Sequence, residues 1–249
     1  MDEKSLTVQT KIRFFESALG KPQTVRLKKG RYFMTNKTKR LTESAMLIAI
    51  SFVLELVSKM LIPPLPFGGQ VTLAMMLPVI LISYRHGVAW GLLSGAAYSL
   101  LQMAAGAGNV TAAFQPGYFG DGRMIANAIL MCALDYVLAY TSLGLGGVFR
   151  RRLDPRRALC AGTALAIAVR YLCHVASGYI LFSGWAEWFF TQEGFPAWGA
   201  ALVSSLNPAA LGLAYSAVYN GMFMLPELIL TTLAAVLISK NSTICRKVS

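Results

Sequence analysis

The sequence predicts an all-α membrane protein, a six-transmembrane-helix bundle with both termini cytoplasmic. Three observations carry this. First, 55% of the 249 residues are hydrophobic and only 14% are charged, too apolar for an ordinary soluble domain of this size. Second, the apolar residues come in runs long enough to cross a bilayer, which takes roughly 20 residues per helix. Third, the basic residues are lopsided. Of 23 Lys and Arg, eleven lie in residues 1–40, five in the RRRLDPRR segment at 150–157, three in the tail (Lys240, Arg246, Lys247), and one, Arg85, between spans two and three. An even number of spans puts all of these on one side, and the positive-inside rule makes that side the cytoplasm.

The elements follow in order. Residues 1–40 form a basic cytoplasmic extension, in which FFESAL suits either a short amphipathic helix on the membrane surface or an unstructured tail. Anionic lipid headgroups account for its charge, and no nucleic-acid partner is expected. No cleavable signal peptide is expected either, because the polar arm leads into a full-length apolar run. A six-helix transmembrane substrate-binding domain occupies 41–239, with spans near 42–62, 70–84, 87–106, 124–148, 158–182 and 208–238. The second is short, and the last contains Pro226 and has room to tilt or kink. Residues 240–249 are a cytoplasmic tail.

The connections on the outer side are the elaborate ones. IPPLPFGGQV carries Pro63, Pro64, Pro66, Gly68 and Gly69, which forbid a regular helix. Residues 106–122 and 183–207 are rich in Gly, Pro and aromatics. Trp185, Trp188, Phe189, Phe190 and Trp198 suit an interfacial aromatic belt, with direct ligand contact as the other reading.

Asp135, inside the run LDYVLAY, raises the central question. A carboxylate at membrane depth costs a few kcal/mol, so it faces a bundle interior and needs a partner. Span five offers Arg170, His174, Gly178 and Phe182 at four-residue spacing, near one helical face. Span six offers Tyr215, Tyr219, Asn220 and Glu227. For Arg170 and Glu227 an internal ion pair competes with ligand contact. For Asp135, Tyr136 and His174 a ligand site is the favoured reading. Polar groups converging from three helices suit a small polar or cationic ligand, and aromatic faces beside a carboxylate suit an organic cation.

Other chemistry is not indicated. There is no GxxxxGK[ST], HExxH or GxSxG, so neither ATPase nor hydrolase machinery is expected, and no catalytic residue is assigned. Asp135 and Glu227 lack the sequence context of an aspartyl dyad. Cys132, Cys160, Cys173 and Cys245 have no metal-ligand spacing and suggest no disulfide framework; no metal site is expected. GLGG at 144–147 reads as helix packing or a helix stop.

The segments LTESAMLIAISFVLELVS, GGQVTLAMMLPVILISYRHGVAWGLLSG, LDYVLAYTSLGLGGVF, RYLCHVASGYILF and AYSAVYNGMFMLPELI come in that order. Together they resemble the thiamine-specific substrate-binding components of energy-coupling factor transporters, from about Leu41 to Lys240. The resemblance implies a bacterial cytoplasmic-membrane protein that binds thiamine and associates with a transmembrane coupling subunit and two ATPase subunits. ATP would be used by those partners, with no cofactor in this chain. It further implies that Asp135, Tyr136, His174, Phe182, Tyr215, Asn220 and Arg170 bind substrate, and that Ala45 and Ala49 form a small-xxx-small motif docking the coupling subunit. The resemblance departs at Gly69 and Leu73, where some members have tryptophan and glutamate. A stand-alone proton-coupled carrier for thiamine or a related organic cation, with His174, Asp135 and Glu227 as relay, is the alternative.

Overall fold

The computed structural model describes residues 36–65, 69–119 and 123–241. The expectations for FFESAL, Pro66, Gly68 and the tail beyond Asn241 lie outside the described residues. Among the described residues the chain is helical, without strands. In chain order the helices are α1 (Asn36–Leu61), α2 (Met76–His86), α3 (Val88–Ala105), α4 (Ala107–Ala113), α5 (Met124–Gly147), α6 (Pro155–Phe182), α7 (Ala186–Phe190), α8 (Trp198–Ser205) and α9 (Pro208–Ser239).

Five of these helical stretches are long and apolar enough to cross a membrane: Lys37–Leu61, Val88–Ala105, Met124–Gly147, Pro155–Phe190 and Pro208–Ser239. The remaining predicted span differs from expectation. Its helix, α2, has only 11 residues, and the residues before it from Gly69 are not helical. The reason is its position. Met76 through Tyr84 are all buried, so α2 is walled by protein rather than lipid. Unwound backbone is tolerated there because protein groups satisfy it. The Thr72 N–H donates to Glu227 Oε1 at 3.1 Å, and the Leu73 N–H donates to Ser58 Oγ at 2.8 Å.

Local sequence explains where the long helices start. Asp154 caps α6, its carboxylate accepting from the Arg157 N–H at 3.2 Å, with Pro155 at the first helical position. Asn207 does the same for α9, accepting from the Ala210 N–H at 2.9 Å ahead of Pro208. Both are N-cap and N1 pairings that terminate a helix cleanly. α9 runs unbroken through Pro226, which removes one backbone donor without ending the helix.

α5 is one stretch with changing pitch. It is α-helical over Met124–Met131, a π-helix over Cys132–Leu138, α-helical again over Ala139–Thr141, and a 3-10 helix over Ser142–Gly147. The 3-10 end is glycine-rich for a steric reason. A side chain at Gly144 would run into the backbone of Gly91 and Leu92 on α3. A side chain at Gly162 on α6 would run into the carbonyl of Gly146. Glycine therefore lets α3, α5 and α6 meet backbone to backbone. Ser83 ties α2 into this junction, donating to the Gly144 carbonyl and accepting from the Gly147 N–H at 2.9 Å. Ile80, Tyr84, Leu143, Leu159 and Ile167 fill the surrounding core.

Candidate functional site

The opposite end of the bundle is not filled. A cavity of about 580 Å³ opens among α1, the Gly69–Met75 segment, α5, α6 and α9. That volume suits a vitamin-sized ligand.

α5 brings Asp135 and Tyr136 to this cavity from its π-helical turn, the local geometry in which extra residues per turn re-aim side chains. α6 contributes Arg170, His174, Gly178 and Phe182, so the four-residue spacing does place them on one wall. α9 contributes Tyr215, Tyr219, Asn220, Phe223 and Glu227. Every residue expected to bind substrate (Asp135, Tyr136, Arg170, His174, Phe182, Tyr215 and Asn220) lines this one cavity.

The partners of Asp135 are His174 and Ser177. His174 Nδ1 lies 2.9 Å from Asp135 Oδ1, and the Ser177 hydroxyl donates to Oδ2 at 2.6 Å. The carboxylate only accepts, so Nδ1 carries the proton. His174 Nε2 is buried and hydrogen-bonds to nothing in the protein. Asn220 Nδ2 donates to the His174 carbonyl at 3.2 Å and to the Ser216 carbonyl at 2.9 Å, tying α6 to α9 behind the site. Gly178 allows that close packing, since a Cβ there would meet the Ser216 hydroxyl.

Arg170 and Glu227 form a separate arrangement. Their guanidinium and carboxylate lie 3.4 Å apart with both side chains nearly inaccessible. Arg170 also donates to the Tyr140 hydroxyl at 3.2 Å, and its Cζ sits 4.4 Å from the centre of that ring. Glu227 Oε1 accepts from the Thr72 hydroxyl at 2.6 Å as well as from the Thr72 N–H. This pair braces α6, α9 and the unwound segment together. A third carboxylate, Glu55, is paired with Lys59 at 2.6 Å and accepts from Gln102.

Aromatic side chains line and support the outer part. Phe182 meets Phe119 at 5.5 Å and Tyr118 at 6.5 Å between ring centres. Burial, reinforced by the Asp135 charge, pushes the Tyr118 phenol above its ordinary pKa, so it remains a donor. Tyr215 and Tyr219 lie 5.8 Å apart, and Phe189 of α7 packs edge-on against both at 5.2 and 5.9 Å. Trp185, Trp188 and Trp198 are exposed, and none of them lines the cavity.

The sequence reading left out Ser177, Gln70, Phe223, Glu55 and Lys59 as cavity residues. Phe223 had a legible signal: Tyr215, Tyr219, Phe223 and Glu227 repeat at four-residue spacing. Glu55 and Lys59 had none, because nothing local says which face of α1 turns inward. Ala45 and Ala49 lie elsewhere, on an exposed face of α1.

Residues 41–246 match the family described as thiamine transporter protein (Thia_YuaJ). The chain is 29% identical over 211 residues to the thiamine transporter ThiT of Bacillus subtilis (strain 168), covering 80% of this chain and 89% of that protein. A solved structure of ThiT from Listeria monocytogenes resembles it with a TM-score of 0.53 at 17% identity, covering 84% of this chain and 97% of that one. At that identity the likeness speaks for the fold alone. A family match that runs through nearly all the described helices decides the assignment: this multi-pass protein of the cell membrane belongs to the thiamine transporter protein (Thia_YuaJ) family.

Proposed function

We propose that the chain is the membrane-embedded, substrate-binding subunit of an ATP-driven thiamine uptake transporter. One observation carries the ligand class. Three carboxylates line the cavity, and two have a basic partner: Glu227 has Arg170, and Glu55 has Lys59. Asp135 has only the imidazole of His174 and the hydroxyl of Ser177. With neutral His174, the cavity lining among the described residues carries one carboxylate without a cationic partner. Thiamine carries one permanent positive charge, on its thiazolium ring, which needs a carboxylate or aromatic faces at any pH. Its aminopyrimidine offers donors and acceptors, and His174 Nε2, buried and without a protein partner, suits one of them. Membership of a thiamine transporter family supports the same ligand.

In this reading α2 and its unwound lead-in make the sixth crossing and both termini are cytoplasmic. The chain has no phosphate-binding loop, so ATP is used by partner subunits. Ala45 and Ala49, on the exposed face of α1, form the close-approach surface for a coupling subunit. No tryptophan lines the cavity, so calorimetry on the purified protein is the better assay. Thiamine should bind saturably at submicromolar concentration while pyridoxine and riboflavin should not. Absence of thiamine binding by folded protein sinks the proposal. Ala49→Trp should keep binding and lose uptake; surviving uptake removes the docking role.

The stand-alone proton-coupled carrier is the second reading, favoured by the Asp135–His174 contact at 2.9 Å. Uptake abolished by a protonophore yet persistent when ATP alone is depleted would select it.

A further inference from the structure

We infer that Phe223 is a stacking wall for a flat heteroaromatic ring of the ligand, and that Gly69 sets where this wall stands. The inference rests on the thiamine reading above. Gly69 has φ +79°, in the left-handed region where glycine is at ease. A Cβ at that position would lie 2.6 Å from Phe223 Cδ1 and 3.2 Å from two further ring atoms. The backbone of the unwound segment is thus pressed against the ring, at a distance only glycine permits. On its other sides the ring meets His174 at 6.1 Å and Tyr219 at 6.4 Å between centres, both edge-on. Three neighbours therefore hold it, yet it is only half-buried and lines the cavity. A residue serving only to fill core would be covered; this one presents surface to the ligand space.

The position relative to Asp135 gives the chemistry. His174 touches the Asp135 carboxylate with one side and neighbours Phe223 with another. A two-ring cation held by its charge at Asp135 has its remaining length within reach of Phe223 across the imidazole. Offset or edge-on packing of an aromatic pair is the favoured geometry there. Phe223 and Gly69 act as a unit contributed by two different elements. A side chain at Gly69, which also borders the cavity, would alter binding chiefly by moving the ring.

Calorimetric titration with thiamine tests this, each variant being checked for a monodisperse peak in detergent. Phe223→Tyr should bind within about twofold of wild type, since the ring is retained. Phe223→Leu, apolar but not flat, should bind about tenfold more weakly. Gly69→Ala should weaken binding to a similar degree. In a Phe223→Ala background, the further change Gly69→Ala should cost clearly less than in wild type, the remainder being the strain of an alanine at φ +79°, because the ring it displaces is gone. Phe223→Leu at wild-type affinity, or an unchanged cost of Gly69→Ala in the Phe223→Ala background, overturns the inference and leaves the thiamine reading intact. Wild-type protein that takes no thiamine overturns both.

Discussion

The two ends of this bundle solve opposite problems with shared helices. At one end, Gly91, Gly144, Gly146 and Gly162 bring α2, α3, α5 and α6 together with no room for a Cβ. At the other end two of these helices, α5 and α6, carry Asp135, Tyr136, His174 and Phe182 around a cavity of about 580 Å³. In lipid there is little hydrophobic gain from helix contact, so close backbone packing supplies the cohesion. A closed, glycine-packed end lets the open end keep an unfilled space, where cross-helix hydrogen bonds such as those of Asn220 do the joining instead. The Arg170–Glu227 pair lies between the two regimes: it lines the cavity yet braces three elements.

That contrast can be broken, most severely at the closed end. Gly162→Leu should leave no monodisperse protein in detergent, because its side chain has nowhere to go but the Gly146 carbonyl. A well-folded variant would show that the closed end is not the source of cohesion. Next in size is Glu227→Leu. It leaves the Arg170 charge without its carboxylate and the Thr72 N–H without its acceptor, a loss on the order of 3–5 kcal/mol. A large fall in the thermal midpoint is expected, and an unchanged midpoint would remove the bracing role. Asp135→Asn should do the reverse, keeping the midpoint while weakening thiamine binding at least tenfold. Intact affinity would detach Asp135 from the ligand. The smallest effect is expected from Phe189→Ala, which supports Tyr215 and Tyr219 from behind. Thiamine affinity should fall roughly threefold, consistent with loss of edge-on aromatic packing.

Much of the candidate site was legible because it obeys helical periodicity. Arg170, His174, Gly178 and Phe182 sit four residues apart, and the structure puts all of them on one wall. The same spacing runs through Tyr215, Tyr219, Phe223 and Glu227, so Phe223 was within reach of the same reasoning. Ser177 was harder: a single serine in an apolar helix has no spacing that marks it as a ligand group, and only packing against α5 brings its hydroxyl to Asp135. The partner of Arg170 was open between Asp135 and Glu227, since sequence spacing does not fix how far one helix is shifted along another. The structure pairs it with Glu227.

By itself, the sequence determined that this is a membrane-embedded helical protein. It also determined roughly where each long helix lies and which side chains share a helix face. Those properties depend on local hydropathy, helical repeat and N-cap residues, all of which are short-range. Tertiary structure alone decided that the stretch expected as a second span holds a short buried helix behind an unwound segment, with Glu227 and Ser58 satisfying that segment's backbone. It also decided that α5 loosens into a π-helix at Asp135 and tightens into a 3-10 helix at its glycines. Those features exist because backbone donors and helix surfaces far apart in sequence must be matched in space, and no local pattern encodes which distant group will do the matching.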